Sequence, residues 1–146
     1  MKDLLKDEDI SFKTDDGKLE KMFESIAKEV AIKMKNDYIM KYKEKERREI
    51  KVDKETSSTQ FRKFYDKILE LNDKAGGLKF PNEYPIKISP FVKMLNSKVQ
   101  YSKTRGHSGE NFVILMQISI KKVDSIETLQ NFKYFLESII GFMPRK

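Results

Sequence analysis

Two short segments set basic side chains beside aromatic ones, a combination suited to binding nucleic acid. One runs from Gln60 to Tyr65 and reads Gln-Phe-Arg-Lys-Phe-Tyr; the other runs from Tyr101 to Arg105 and reads Tyr-Ser-Lys-Thr-Arg. The guanidinium of Arg105 can hold a phosphate through two parallel hydrogen bonds. The ring of Tyr101 can stack on a base or a sugar. These segments therefore offer phosphate contacts and stacking rather than bond-making chemistry.

Each of these residues also has an ordinary structural explanation. Arg62 lies four residues before Asp66, the spacing of an ion pair along a helix. For Tyr101, packing in the core is the more usual role. Lys121 and Lys122 stand where cations stabilise the C-terminal end of a helix. The sequence alone leaves these alternatives open.

The chain lacks the residue sets of the common catalytic and metal sites. It has no cysteine and one histidine, His107, which excludes disulfide scaffolds, thiolate zinc sites, iron–sulfur clusters and cysteine nucleophiles. The segment around Ser108 misses the G-x-S-x-G spacing of a nucleophile elbow, because Glu110 stands two residues after the serine. Neither a Walker A motif nor G-x-G-x-x-G occurs. We therefore expect no enzyme, no cofactor and no metal.

The basic charge is concentrated in the middle of the chain. The 146 residues carry a net charge of +7. Residues 74–122 hold nine Lys/Arg against two Asp/Glu, while acidic and basic residues balance on either side. Such an excess attracts a polyanion, chiefly nucleic acid, or an acidic protein. The ordinary alternative is a lysine-rich surface without such a partner.

Length and hydropathy predict one cytoplasmic domain that does not enter a membrane. A chain of 146 residues suffices for one domain with its own core. The longest uninterrupted apolar run covers residues 112–116, too short to span a bilayer. The first nine residues contain no apolar segment typical of a secretion signal.

The first 55 residues are expected to form a tail and one long helix. Residues 1–17 are acidic and rich in turn formers, which indicates a loose tail. From residue 18 apolar residues repeat at helical spacing, and no Gly or Pro ends the pattern before residue 52. A helix over 18–55 either projects or packs against a second copy. Exchange of this arm between copies would bury Tyr38, Ile39 and Tyr42.

Start and stop signals divide residues 56–146 into further helices. The starts are a capping box at Ser57 with Gln60, Ser89 before Pro90, and a second capping box at Asp124 with Glu127. The ends are marked by Gly76-Gly77 and by Gly141 with Pro144.

The segment 110–123 decides the fold class. Its apolar run fits either a buried strand or a buried helix. We favour the helix, because a single strand would have no partner elsewhere in the chain. Phe91, Leu95 and Val99 line the apolar side of the helix before it. The predicted fold is all-α, with about five helices in a single bundle, of which 56–146 forms the part expected to bind nucleic acid.

Three motifs resemble a known family. They are Thr59–Tyr65, the Tyr-x-x-x-Arg spacing of Tyr101 and Arg105, and the aromatic-rich helix Phe132–Phe142. In this order the chain resembles the small subunit of the type III-A CRISPR effector, the Csm complex, over roughly residues 56–143. Residues 1–55 lie outside the resemblance.

The resemblance implies an all-helical, non-catalytic subunit of an antiviral ribonucleoprotein. Its partners would be the guide and target RNA, the other Csm subunits, and further copies of itself stacked along the RNA duplex. Its basic side chains would touch the sugar-phosphate backbone without reading sequence. The motif match assigns RNA contacts to Arg62, Lys63, Tyr101 and Arg105, and local charge adds Lys98 and Lys103.

Two other functions compete with this interpretation. One is the small subunit of the related type III-B (Cmr) complex. The other is a helical adaptor that binds an acidic protein partner, which the basic excess would serve equally well.

Overall fold

The computed structural model describes residues 7–144, and its architecture is mainly helical. The N-terminal part contains short 3₁₀ turns at Asp7–Asp9 and Thr14–Asp16, α1 (Leu19–Lys21), a π-helical stretch at Met22–Ile26 and α2 (Ala27–Lys35). A hairpin of β1 (Tyr38–Lys43) and β2 (Arg48–Asp53) follows. The rest comprises α3 (Ser58–Gly76), a 3₁₀ turn at Pro81–Glu83, α4 (Tyr84–Lys87), α5 (Ser89–Thr104), α6 (Glu110–Lys121) and α7 (Ile126–Phe142). The five longest helices, α2, α3, α5, α6 and α7, form the predicted bundle, so the mainly all-α fold is confirmed.

The core lies around α6 and α7. Helix α7 packs against both α2 and α3, and α5 packs against α6. Phe112 on α6 is fully buried and contacts the rings of Phe61 and Phe64 on α3, with centroid distances of 5.6 and 5.0 Å. The burial of α6 on several sides explains why its sequence is apolar almost throughout. The prediction of a helix at 110–123 is confirmed.

Two of the predicted helix starts differ from the structure in detail. Ser57 does cap α3, where its hydroxyl accepts the N–H of Gln60 at 3.1 Å. The cap of α7 is Ser125 with Thr128, not the predicted Asp124 with Glu127. Ser89 lies inside α5 and makes no cap, since the helix continues from the turn before it. Phe91, predicted to be apolar core, is 52% exposed, because Val92 takes the buried position beside it.

The prediction of a loose N-terminal tail is wrong for its second half. Ile10 and Phe12 are each 1% exposed. The centroid of the Phe12 ring lies 5.2 Å from that of Phe132 and 5.9 Å from that of Phe135, so Phe12 belongs to the core. The amide of Asn131 donates to the carbonyl of Phe12 at 2.7 Å, which fixes the extended backbone. Residues 1–6 of the predicted tail, and residues 145–146, lie outside the described residues.

The prediction of one helix over 18–55 is wrong after residue 35. A two-stranded antiparallel sheet replaces the second half, with Tyr38 opposite Asp53 and Lys43 opposite Arg48. The two strands contain Tyr, Ile and Val, residue types that favour extended backbone. Residues 43–49 supply no apolar face that would hold a helix against the core. The arm that projects is therefore a hairpin, not a helix.

The base of the hairpin is closed by backbone hydrogen bonds. The N–H of Lys54 donates to the carbonyl of Asp37 at 2.8 Å, and the N–H of Thr56 donates to the carbonyl of Met34 at 2.9 Å. The chain thus leaves α2 and returns to α3 at almost the same place. In the four-residue loop at the tip, Arg47 adopts a left-handed φ of 51°.

Asp37 joins this base to the start of α6. Its side chain is 1% exposed, and its carboxylate accepts the backbone N–H groups of Asn111 at 2.8 Å and Phe112 at 3.1 Å. It also accepts the hydroxyl of Thr56 at 2.8 Å. Thr56 Oγ1 in turn accepts the N–H of Gly109 at 2.9 Å. Three N–H groups at the beginning of α6 are thereby satisfied by residues from the two ends of the hairpin.

None of the helices within residues 7–144 is both long enough and apolar enough to cross a membrane.

Candidate nucleic-acid interface

A groove between α3 and α5 brings basic and aromatic side chains together. It has a volume of about 560 Å³ and is open to solvent. Its lining includes Lys63, Lys67, Lys98, Tyr101 and His107, with Phe64 among them. None of the residues that line it is acidic. We call this feature the α3–α5 groove.

The apolar residues of the two helices orient the groove residues. On α3, Phe61 and Ile68 are buried, which leaves Lys63 and Lys67 exposed one turn apart. On α5, Val92, Leu95 and Val99 are buried, each at 2% exposure or less. Because these three residues are buried, Lys98 and Tyr101 face solvent, and Tyr101 is 62% exposed. The positions of these cations therefore follow from how the core is packed.

A chain of polar contacts holds the walls of the groove together at one end. The amide of Gln60 on α3 donates to the Ser102 hydroxyl on α5 at 2.8 Å. That hydroxyl lies 2.6 Å from the hydroxyl of Ser108, which is fully buried in the connection between α5 and α6. Buried and mutually satisfied polar groups of this kind fix the spacing of the elements that carry them.

Three of the six predicted RNA-contacting residues meet in this groove. Lys63, Lys98 and Tyr101 all line it. Arg62 is exposed on α3 but lies outside the lining. No ion pair joins Arg62 to Asp66 in the described part of the chain, so the helical pair considered from the sequence does not form.

The other two predicted residues lie on a different surface. Lys103 and Arg105 line a second concavity of about 730 Å³ between the hairpin and the start of α6. Lys103 forms an ion pair with Glu110 at 3.3 Å. Arg105 donates from Nη1 to the hydroxyl of Tyr101 at 2.9 Å and lies 5.4 Å from the centroid of that ring. Tyr101 is the residue through which the two surfaces are connected.

The aromatic residues of the first segment serve mainly the core. Phe61 and Phe64 are buried, as their spacing predicts. The hydroxyl of Tyr65 donates to the Glu137 carboxylate on α7 at 2.6 Å. Partial burial, together with this hydrogen bond, raises the pKa of Tyr65 to about 12. Tyr65 therefore joins α3 to α7 as a neutral donor.

The basic residues of the segment 74–122 do not form one face. Several of its lysines are engaged elsewhere. Lys74 pairs with Glu70 at 3.6 Å, Lys87 with Glu83 at 3.2 Å, and Lys121 and Lys122 each with Asp7 at 3.8 Å. Lys93 donates to the carbonyl of Ile120 at the end of α6. Charges that are close together in the sequence therefore lie on different surfaces of the folded chain.

Sequence reasoning missed Lys67 and His107 as groove residues. Lys67 lies one helical turn after Lys63, and this spacing could have identified it. His107 reaches the groove through the loop between α5 and α6, where the left-handed φ of 73° at Gly106 turns the chain. A glycine just after a helix is the usual signal for such a turn, but it does not indicate that the next residue faces α3.

The chain was also compared with known proteins. Residues 33–143 match the Csm2 Type III-A family. The chain belongs to this family. The match covers the hairpin, both walls of the α3–α5 groove and all of α7, so the Csm2 Type III-A family shares the region that carries the candidate interface. It also extends the resemblance seen in the sequence toward the N-terminus, from residue 56 to residue 33. No curated protein and no solved structure matches the chain significantly.

Membership of the Csm2 Type III-A family identifies the chain as a small subunit of the type III-A CRISPR complex. It also favours the type III-A over the type III-B alternative. Within residues 7–144, no group of three or more His, Cys, Asp or Glu side chains could hold a metal ion.

Proposed function

We propose that this small subunit binds the sugar-phosphate backbone of the guide–target RNA through the α3–α5 groove and has no catalytic activity of its own. The observation that supports the proposal most strongly is the meeting of Lys63, Lys67 and Lys98 on a surface without an acidic lining residue. Backbone contacts of this kind position a protein on RNA but do not read its sequence. Base pairing with the guide then supplies the specificity.

The state of the groove lysines supports phosphate binding. Lys63 and Lys98 have no ion-pair partner among the described residues. Lys67 lies 3.9 Å from Glu70, but both side chains are more than half exposed, and such pairs contribute little. A phosphate therefore has three ammonium groups to interact with and displaces at most one weak partner.

Several copies acting together would turn weak contacts into strong binding. One groove with about three phosphate contacts gives modest affinity at physiological salt. Copies assembled along one RNA raise the effective concentration of each following contact. We propose that the other Csm subunits provide this assembly, and that the partly buried Tyr38 and Ile39 and the exposed Tyr42 of the hairpin contribute to contacts between copies. A monomeric mass in sedimentation at high concentration would argue against the contacts between copies.

The salt dependence of RNA binding tests the mechanism. Fluorescence anisotropy of a labelled RNA is measured at several salt concentrations with the purified chain. Three phosphate contacts predict a slope of about −2 for log K against log salt with single-stranded RNA. Affinity should then fall about 16-fold when salt rises fourfold. A flat response would contradict backbone binding.

A pair of charge-matched double variants tests the location. Lys63→Ala with Lys98→Ala removes two groove cations. Lys28→Ala with Lys35→Ala removes two exposed lysines of α2, neither of which lines the groove. The first variant should lose most of the affinity and of the salt slope, whereas the second should stay close to the unmodified chain. Equal losses would mean that net charge, and not the groove, determines binding.

The acidic-protein alternative is tested in the same assay. Polyglutamate of matched charge is added as a competitor to the RNA complex. Release of the RNA only at a large excess of polyglutamate supports the RNA interface. Release at stoichiometric polyglutamate would favour an acidic protein partner instead.

A further inference from the structure

The α3–α5 groove offers more than cations for phosphates. Phosphate contacts fix the position of a protein on RNA and need only donors and positive charge. Here the cations surround a concavity of about 560 Å³, a volume within the usual range of sites for small organic groups. Phe64 is one of the lining residues and is 8% exposed, so aromatic carbon atoms form part of the inner surface of the groove.

The groove combines the two chemical features that a nucleotide presents. The Tyr101 ring is 62% exposed and offers a face for stacking. Lys63 on α3 and Lys98 on α5 come from opposite walls and offer ammonium groups for a phosphate. Gln60, held by its bond to Ser102, adds a fixed amide at one end of the groove.

We infer that the α3–α5 groove receives one unpaired nucleotide of the RNA strand, with its base against Tyr101 and its phosphate between Lys63 and Lys98. This inference rests on the proposed function and deepens it. A base within a helix is already stacked and paired, so its flat face cannot reach Tyr101. The subunit should therefore prefer RNA that offers an unpaired base at the place where it binds.

Stacking also determines which bases the groove accepts. Every base has a π face, and stacking on an aromatic side chain tolerates any sequence. The preference should therefore concern whether a base is present and unpaired, and only weakly which base it is. This agrees with a subunit that acts on many different guide sequences.

Three RNA duplexes test the inference. One is fully paired, one carries a single unpaired nucleotide in the middle, and one carries an abasic residue at that same position. The second and third have the same number of phosphates and a similar local flexibility. We expect the RNA with the unpaired base to bind about tenfold more tightly than the abasic RNA, the effect of one stacked base.

Two aromatic variants locate the effect. Tyr101→Ala should abolish the difference between the unpaired-base RNA and the abasic RNA, while the salt slope stays nearly unchanged. Phe80→Ala is the control, because Phe80 is 55% exposed, close to the 62% of Tyr101, and lies outside the groove. It should leave the difference intact.

The outcomes separate the inference from the proposed function. Equal affinity for all three RNAs, with a normal salt slope, would overturn the nucleotide site and leave backbone binding in place. Equal gains for the unpaired-base and abasic RNAs would assign the effect to flexibility and also overturn it. Absence of binding to any of the three would overturn the proposed function itself.

Discussion

The carboxyl group of Asp37 occupies the space in which a side chain at residue 109 would begin, so Gly109 is what allows the two residues to meet. A Cβ atom built on Gly109 would fall inside that carboxyl group. The contact joins the end of α2 to the start of α6, across 72 residues of sequence. Gly109 has an extended backbone, with φ of −93°, so it is close approach and not an unusual conformation that requires glycine.

Gly109→Ala should destabilise the fold by about 3 kcal/mol. The new methyl group must displace Asp37, which both overpacks the site and removes hydrogen bonds to buried N–H groups. Urea denaturation followed by circular dichroism measures the change. Gly141→Ala is the control, because it lies in α7 with nothing within 4 Å of its added Cβ. It should be neutral or stabilising by up to about 1 kcal/mol, and a similar loss in both variants would refute the explanation.

Asp37→Asn should cost about 2–3 kcal/mol, because the amide provides one acceptor oxygen where the carboxylate provides two. The two carboxylate oxygens together accept four hydrogen bonds, from Tyr38, Thr56, Asn111 and Phe112. Replacing one oxygen by NH₂ leaves buried donors facing a donor. Urea denaturation at a fixed pH gives the difference, and a variant as stable as the unmodified chain would contradict the role of the carboxylate.

The same variant should reveal a pH dependence. Burial raises the pKa of Asp37 above its usual range. The hydrogen bonds that the carboxylate accepts oppose the rise, and the one from the Asn111 N–H opposes it most. Between the usual and the raised pKa the folded state holds a proton that the unfolded state has released. The stabilisation that follows from this pKa difference is therefore fully present below the pKa of the unfolded state, and it is lost as pH rises through the higher pKa of the folded state. The stability difference between the unmodified chain and Asp37→Asn should shrink with rising pH, and a difference that grows would contradict the raised pKa.

Phe12→Ala should destabilise the fold by about 3–5 kcal/mol, the usual cost of removing a buried phenylalanine. The prediction follows from the contacts of Phe12 with Phe132 and Phe135. Phe80→Ala is the matched control, because Phe80 is 55% exposed and should cost less than about 1 kcal/mol. Thermal melting compares the two, and equal midpoints would mean that the N-terminal segment is not part of the core in solution.

Arg105→Ala should weaken RNA binding severalfold and leave the melting temperature within about 2 °C of the unmodified chain. Arg105 is exposed and donates to the hydroxyl of Tyr101, so its removal frees the Tyr101 ring but takes nothing from the core. Lys35→Ala removes one exposed charge of α2 and is the control. A large drop in melting temperature with unchanged RNA affinity would assign Arg105 a structural role instead.

The sequence predicted the elements whose residues repeat with a helical period over a buried face. Phe61, Phe64 and Ile68 on α3 and the apolar run of α6 are examples. It failed at the hairpin, because both faces of the strands are largely exposed and the alternation of apolar and polar residues is weak. The loop at its tip has Arg47 where a turn-forming glycine would have been recognised.

For the candidate site, the individual cations could be recognised from the sequence, but their grouping could not. The motif match predicts Lys63 and local charge predicts Lys98, and the two residues meet because α3 and α5 lie side by side. Lys103 has equally suitable neighbours but faces Glu110. Which cations meet, and which of them form ion pairs, depends on contacts between segments that are distant in the sequence. The spacing of neighbouring residues does not encode these contacts.

The tip of the hairpin is the part that can change without disturbing the rest of the molecule. The first half of β1 lies beside α6, but residues 43–48 at the tip are all exposed. Length and composition can vary at the tip while the capping of α6 by Asp37 and Thr56 at the base is preserved. Related subunits are thus free to carry different extensions there, and an engineer could graft a fluorescent label or an affinity tag at the tip without entering the core.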